Sequence, residues 1–192
     1  MVYIDENIWD FDLQQALEQV SAQRREYALR YRHERDQRLC LAAYRLLMRA
    51  LRLEYGIDVA QQFIHDENGK PLLQGHHDIH FSLSHCHEAV ACALSDCPVG
   101  IDIETTGHYS IEVARRVMNV DEIRQIETSA QPKVTFTRLW TMKESLFKLT
   151  GDDHGGDTAH MLEKADNYRF ETVIHPCYIY TICSTAIPDK KH

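Results

Sequence analysis

Residues 79–104 read IHFSLSHCHEAVACALSDCPVGIDIE. Three strand signals follow one another there. Ile79–Ser84 alternates apolar and polar residues. Ala89–Leu94 is small and apolar, as a strand buried on both faces would be. Val99–Glu104 alternates again, with Val99, Ile101 and Ile103 on one side and Asp102 and Glu104 on the other. Asp96-Cys97-Pro98 marks a turn between the last two and a candidate boundary between two halves of the chain.

Helices flank this block on both sides. Residues 12–31 are expected to be one helix, with Leu13, Leu17, Val20, Tyr27 and Tyr31 as a loose apolar stripe and a break in pattern at Ser21. Residues 34–55 carry a clearer stripe, Leu39, Ala42, Ala43, Leu46, Leu47, Ala50 and Leu51, stopped by Gly56. Between these and the strands, Asn68-Gly69 signals a tight turn, and Pro71 confines the arm after it to an edge or loop. Downstream, short helices are expected over 110–118 and 120–127, with Asp121 placed to cap or begin the second. A long helix spans 132–150, opened by Pro132 and ended by Gly151. Asp152–Asp157 reads as a loop. Tyr168–Ile174 and Tyr178–Cys183 read as a hairpin across His175-Pro176, and the tail after Ser184 as frayed. Helices and short, tightly connected strands are segregated, so the fold class is α+β, not a doubly wound parallel sheet.

The chain has 192 residues, 44% hydrophobic and 26% charged. That supports a packed core and excludes disorder as the main state. No apolar run reaches the ~18 residues of a membrane span, and the acidic start MVYIDENIWDFD is not a secretory leader. The six cysteines contain no C-x-x-C, which favours reduced thiols in the cytoplasm over disulfides or zinc. Net charge is −8, yet residues 21–55 carry nine arginines against four acids, leaving −13 on the rest. A local basic segment on an acidic protein suits one anionic ligand better than a nucleic-acid track.

Asp102 and Glu104 stand at i and i+2 of a strand, so both carboxylates share a face. Like charges that close need a cation or donors between them, and hard oxygen ligands suit Mg²⁺ or Mn²⁺. On the helix over 132–150, Phe136, Trp140, Glu144 and Phe147 are spaced by four, four and three. Leu139, Met142, Leu146 and Leu149 line another side, so Glu144 sits on a helix apolar nearly all round and needs a partner. Lys148, four residues on, is one candidate; a metal shared by Asp102, Glu104 and Glu144 is the other, and it leaves Lys148 for a phosphate. Ser84, His85 and Asp102 could also be read as a hydrolase triad, but no G-x-S-x-G elbow accompanies them. Neither a P-loop nor a G-x-G-x-x-G is present.

In order along the chain stand Gly69-Lys70-Pro71, Phe81-Ser82-Leu83-Ser84-His85, Val99-Gly100-Ile101-Asp102-Ile103-Glu104, and Trp140-Thr141-Met142-Lys143-Glu144-Ser145-Leu146-Phe147-Lys148. This set resembles the surfactin-type 4′-phosphopantetheinyl transferases over roughly the first four-fifths of the chain. The resemblance implies transfer of phosphopantetheine from coenzyme A to a serine of an apo acyl or peptidyl carrier protein, with release of 3′,5′-ADP. It implies a pseudo-dimer of two α+β halves, here 1–98 and 99–192, with the site in the cleft of a single, monomeric chain. It assigns Asp102, Glu104 and Glu144 to Mg²⁺, or Mn²⁺ in its place. Glu144 and Lys148 become the catalytic pair. Ser84, His85, Lys70 and Lys148 would meet coenzyme A, Trp140 would pack beneath the site, and Arg24 and Arg25 would hold the 3′-phosphate. Nucleic acid and membrane are not expected partners. The alternative within this resemblance is a non-catalytic relative that binds coenzyme A or a carrier protein. The chain departs from the family at 151–157, where a Gly-x-Gly-apolar stretch is usual, and it is short for the family.

Overall fold

The structure, a computed structural model, describes residues 1–107, 109–151 and 157–186. It has two three-stranded antiparallel sheets, each with its own covering helix. Strands β1 (Val2–Asp5), β4 (His80–His85) and β5 (Val90–Ser95) form the first, in the order β1-β5-β4. Strands β6 (Val99–Thr105), β7 (Tyr168–Ile174) and β8 (Tyr178–Thr185) form the second, in the order β6-β8-β7. β2 (Phe63–His65) and β3 (Pro71–Leu73) make a separate hairpin. Asp66 closes its turn by accepting from the Asn68 and Lys70 amides, and Pro71 takes the first strand position, where no donor is needed.

The expected helix over 12–31 is two helices, α1 (Leu13–Gln19) and α2 (Ala22–Leu29). The Ser21 hydroxyl accepts from the Arg24 amide and starts a new helix where the pattern breaks. Helix α3 (Glu34–Tyr55) has the expected bounds. Gly56, at φ 68°, returns its amide to the carbonyls of Leu51 and Arg52. Its stripe, with Leu47, Ala50 and Leu51 fully buried, packs on β4 and β5.

Helices α4 (Ile111–Val117) and α5 (Val120–Thr128) follow. Asn119, not Asp121, caps α5, in a reciprocal box with Glu122; Asp121 instead pairs with Arg124 on the surface. Helix α6 (Pro132–Thr150) lies across β6 and β8. The helix and strand backbones nearly touch: a Cβ at Gly100 would stand 1.9 Å from the Ser145 carbonyl oxygen. A 3-10 turn, Thr158–Lys164, was not evident from the sequence. The loop expected at 152–157 falls, but for Asp157, outside the described residues. β8 runs one residue past the expected fraying point, and its tail from 187 on also falls outside them.

The three strands quoted first do not share one sheet. β6 runs beside β4 in the same direction, but no backbone ladder joins them. Two serine hydroxyls of β4 stand in for it. Ser82 Oγ accepts from the Ile101 amide at 3.0 Å, and Ser84 Oγ from the Ile103 amide at 3.3 Å. Both serines are buried, so each satisfies a strand amide that would otherwise lie unpaired. Ser82 and Ser84, two of the polar positions of residues 79–84, therefore form the seam between the two sheets.

Candidate active site

Strand β6 brings Asp102 and Glu104 to the face covered by α6, and α6 presents Trp140, Glu144 and Lys148 to them. Asp102 is 3% exposed. Its Oδ1 accepts from Lys148 Nζ at 2.6 Å and from Ser84 Oγ at 2.8 Å. Lys148 also donates to Ser84 Oγ at 2.7 Å. The second oxygen, Asp102 Oδ2, is buried and has no hydrogen-bond partner. Glu104 Oε1 accepts from Trp140 Nε1 at 3.2 Å.

The electrostatics follow from this crowding. Burial first, and the neighbouring Asp102 charge second, push the Glu104 carboxyl up to about 7. The same two causes raise Glu144. Lys148 eases both but is itself held by Asp102. The helix-local pair of Glu144 with Lys148 does not form; the lysine reaches across to the strand.

Lys148 and His85 open onto a cavity of about 710 Å³ bounded by α2, α3, the β2–β3 hairpin, β4 and the end of α6. Its walls are aromatic at Tyr27, Tyr31, Phe63, Phe81 and Phe147, and basic at Arg24 and Arg30. His85 is exposed at this wall. Desolvation by its surroundings and then the Lys148 ammonium hold its imidazole below the usual histidine value. Ser84 faces the seam, and no hydrogen bond joins it to His85 among the described residues. A Ser-His-Asp relay is therefore not assembled.

The arginines divide. Arg24 lines the cavity, donates to the Cys40 carbonyl at 2.6 Å, rests 5.2 Å from the Tyr27 ring centroid, and leaves its buried Nε unpartnered. Arg25 turns away and donates to the Leu17 and Glu18 carbonyls at the end of α1; it is a helix cap. Arg30, not anticipated, joins Arg24 at the wall. Lys70 also lines the cavity, but its ammonium donates to Val99 O at 3.1 Å and Leu149 O at 3.2 Å. It ties the hairpin to the C-terminal end of α6, where a cation is favoured. Burial depresses its pKa.

A second lysine of α6 was not anticipated. Lys143 is fully buried and donates to Glu122 Oε2 (2.9 Å), Thr158 O (2.8 Å) and Ala159 O (2.9 Å). In the sequence it looks like an ordinary polar position beside Glu144.

Residues 98–170, from the start of β6 into β7, match the model of the 4′-phosphopantetheinyl transferase superfamily. A 4′-phosphopantetheinyl transferase of Bacillus subtilis is 33% identical over 78% of this chain and 68% of its own length. The 4′-phosphopantetheinyl transferase Sfp of Bacillus subtilis strain 168 is 31% identical over the same shares. A third, gsp of Aneurinibacillus migulanus, is 34% identical over 77% of this chain and 61% of its own. The chain belongs to the 4′-phosphopantetheinyl transferase superfamily and is an enzyme of that class. No helix among the described residues is long and apolar enough to cross a membrane.

Proposed function

We propose that the protein transfers the 4′-phosphopantetheine arm of coenzyme A to a serine hydroxyl of an apo acyl or peptidyl carrier protein, with a divalent cation, Mg²⁺ or Mn²⁺, and releases 3′,5′-ADP. The observation that carries this reading is the half-satisfied Asp102. Its Oδ1 is held by Lys148 and Ser84, while its Oδ2 is buried and orphaned beside two further acids whose carboxyls are pushed up. A buried carboxylate oxygen without a donor is costly, and three hard oxygen donors fit an oxygen-preferring cation. The three side chains are not gathered at ligating distance: among the described residues no group of three His, Cys, Asp or Glu could hold a metal ion. The fit is one of donor chemistry, with Asp102, Glu104 and Glu144 as the residues that would hold the ion.

When bound, that cation would neutralise the pyrophosphate charge that builds as the phosphoryl group transfers. The chain's own groups do the rest. Lys148, at the cavity wall, is placed to donate to a phosphate oxygen. Arg24 gives the cavity wall a cation suited to a terminal phosphate, and Arg30, paired there with Glu26 at 2.9 Å, adds a second. His85, its pKa lowered, offers an imidazole at the cavity wall. Glu144, raised by burial, is suited to take the serine proton directly or through water. Lys70 serves this site by fixing the hairpin.

We further read residues 1–98 and 99–192 as two halves that enclose the cavity. In support, the first sheet is drawn from residues before 96 and the second from residue 99 onward. A cavity walled by one chain supports action as a monomer. Free cysteines at Cys40, Cys86, Cys92, Cys97, Cys177 and Cys183 support a reducing, cytoplasmic setting.

Intact-mass spectrometry tests this reading. Apo carrier proteins from fatty acid, polyketide and peptide synthesis are each incubated with the protein, coenzyme A and Mg²⁺, with an EDTA control. A gain of one phosphopantetheine that EDTA abolishes is the expected result. Coenzyme A binding with no gain on any carrier would support the non-catalytic alternative instead.

A further inference from the structure

Arg45, Arg49 and Arg52 stand four and three residues apart on α3, so they share one face of it. The buried stripe of Ala43, Leu46, Leu47, Ala50 and Leu51 lies on the opposite face. Beneath that stripe β5 presents Val90, Cys92 and Leu94 to α3, and Ala91 and Ala93 to β6 and β8. The arginines therefore look away from the cleft, with the helix and the first sheet between them and the acids.

All three are exposed, and among the described residues none enters an ion pair. Arg30 and Arg38 each have a glutamate four residues before them and pair with it, at 2.9 and 2.8 Å. No acid stands three or four residues from Arg45, Arg49 or Arg52. Glu54, nearby on the helix, accepts from the Tyr3 hydroxyl instead. Like charges at i and i+4 weaken a helix, so the row is set against the stability of α3. Arg45 is already held in place, 4.7 Å from the Phe11 ring centroid. Met48, half-buried, and Leu53, 59% exposed, flank the row. Arginine and methionine are enriched where proteins meet. A cavity of about 420 Å³ opens beside the row, and Asp5, Asp10 and Asp58 also line it. Those carboxylates disfavour a small dianion inside the cavity. A ligand lying along the row meets the guanidiniums instead.

We infer that this face of α3 docks an acidic helical segment of a partner protein, outside the cleft. The row spans about 10 Å of helix, and carboxylates at the same four-and-three spacing would face it. A guanidinium takes a carboxylate in a planar fork. A chain of net charge −8 repels an acidic partner over most of its surface, so the row also fixes where such a partner lands. It is too short for a nucleic-acid backbone, whose phosphates would run on past it. The surface needs neither the divalent cation nor coenzyme A.

Fluorescence anisotropy on the full chain tests this at low ionic strength. The probe is a labelled helical peptide with glutamates spaced four and three apart; inorganic phosphate and an RNA duplex are the competitors. The peptide binds the parent protein, and added salt weakens it. Arg49→Glu lowers the affinity about tenfold. Its melting temperature stays at or above the parent's, because the change relieves repulsion with Arg45 and Arg52. Arg45→Gln combined with Arg52→Gln loses affinity without adding an acid. Arg115→Glu combined with Arg116→Glu alters exposed arginines of α4 and moves the net charge twice as far as Arg49→Glu. It holds peptide affinity within about twofold of the parent's, since distant surface charges are screened. Parent-level affinity in Arg49→Glu, or an equal loss in the α4 variant, overturns the inference. Phosphate or RNA binding the row more tightly than the peptide overturns it as well.

Discussion

Two of the three lysines of helix α6, Lys143 and Lys148, stand five residues apart, and each reaches a buried acid. Lys143 places its ammonium on Glu122 and two carbonyls, using every donor it has. Glu122 in turn completes the capping box of α5. No buried side-chain atom of that cluster lacks a partner, and it binds α5 and the 158–164 turn to the helix. Lys148 meets Asp102 at shorter range, yet the acid keeps one oxygen buried and bare. The first pair leaves no buried oxygen without a partner; the second leaves one. Depth does not tell them apart, since Glu122 and Asp102 are 7% and 3% exposed. The number of unfilled bonding positions does.

That contrast can be broken by substitution. The largest effect falls on the unfinished side. Glu144→Gln removes a proposed ligand and proton acceptor and lowers kcat/KM for carrier modification about 10³-fold, ~4 kcal/mol of transition-state stabilisation. Its melting temperature stays at or above the parent's. Activity near the parent level would falsify the assignment of the three acids.

On the finished side, Lys143→Met strands Glu122 without its cation. Urea unfolding should show a loss of about 3–5 kcal/mol. Adding Glu122→Leu to that variant recovers most of it, because a buried pair replaced by apolar groups is near neutral. If the single variant unfolds like the parent, the clamp is not what holds α5.

Lys148→Ala is smaller in energy and opposite in kind. Turnover falls about 10- to 100-fold, or ~1.4–2.7 kcal/mol. An unchanged rate would move Lys148 to the structural class.

The smallest effect is pH-linked stability at Glu104. Its carboxyl lies at about 7 in the folded protein against 4.5 as the ordinary value. The folded state therefore holds the proton more tightly than the unfolded state, and metal-free stability is lost as pH rises from 4.5 to about 7. Glu104→Gln removes that loss: it raises metal-free stability at pH 8 by about 1–3 kcal/mol and leaves it nearly unchanged at pH 4. Thermal melts in EDTA at the two pH values read this out, and an equal shift at both would show that no titration is involved.

How much of this was legible in the sequence depended on range. Helices α3 and α6 were readable because 3.6-residue apolar spacing, the start at Pro132 and the stops at Gly56 and Gly151 are local signals. The acids were readable for the same reason, since Asp102 and Glu104 must share a strand face. β1 was missed because Val2–Asp5 is only four residues, and pairing with β5 is what makes it a strand. The 158–164 turn has no period to read; its carbonyls are held by a lysine fifteen residues away. Long side chains were misjudged most. Arg25 and Lys70 end on backbone carbonyls that no spacing rule connects to them. Lys148 passed over Glu144, its helical neighbour, for an acid forty-six residues earlier. The seam serines were visible as a polar alternation, but an alternation cannot say whether water or another strand lies opposite.

Gly100 bears on anyone who would alter this protein. The Ser145 carbonyl occupies the place a side chain there would need. Any other residue would wedge α6 off β6 and part Asp102 and Glu104 from Glu144 in one step. Codon randomisation aimed at new substrates can be spread over the aromatic cavity wall, where a lost ring changes fit without moving the acids. At position 100 every variant in such a library is a blank, and the alignment of the acids depends on a single methyl group that is not there.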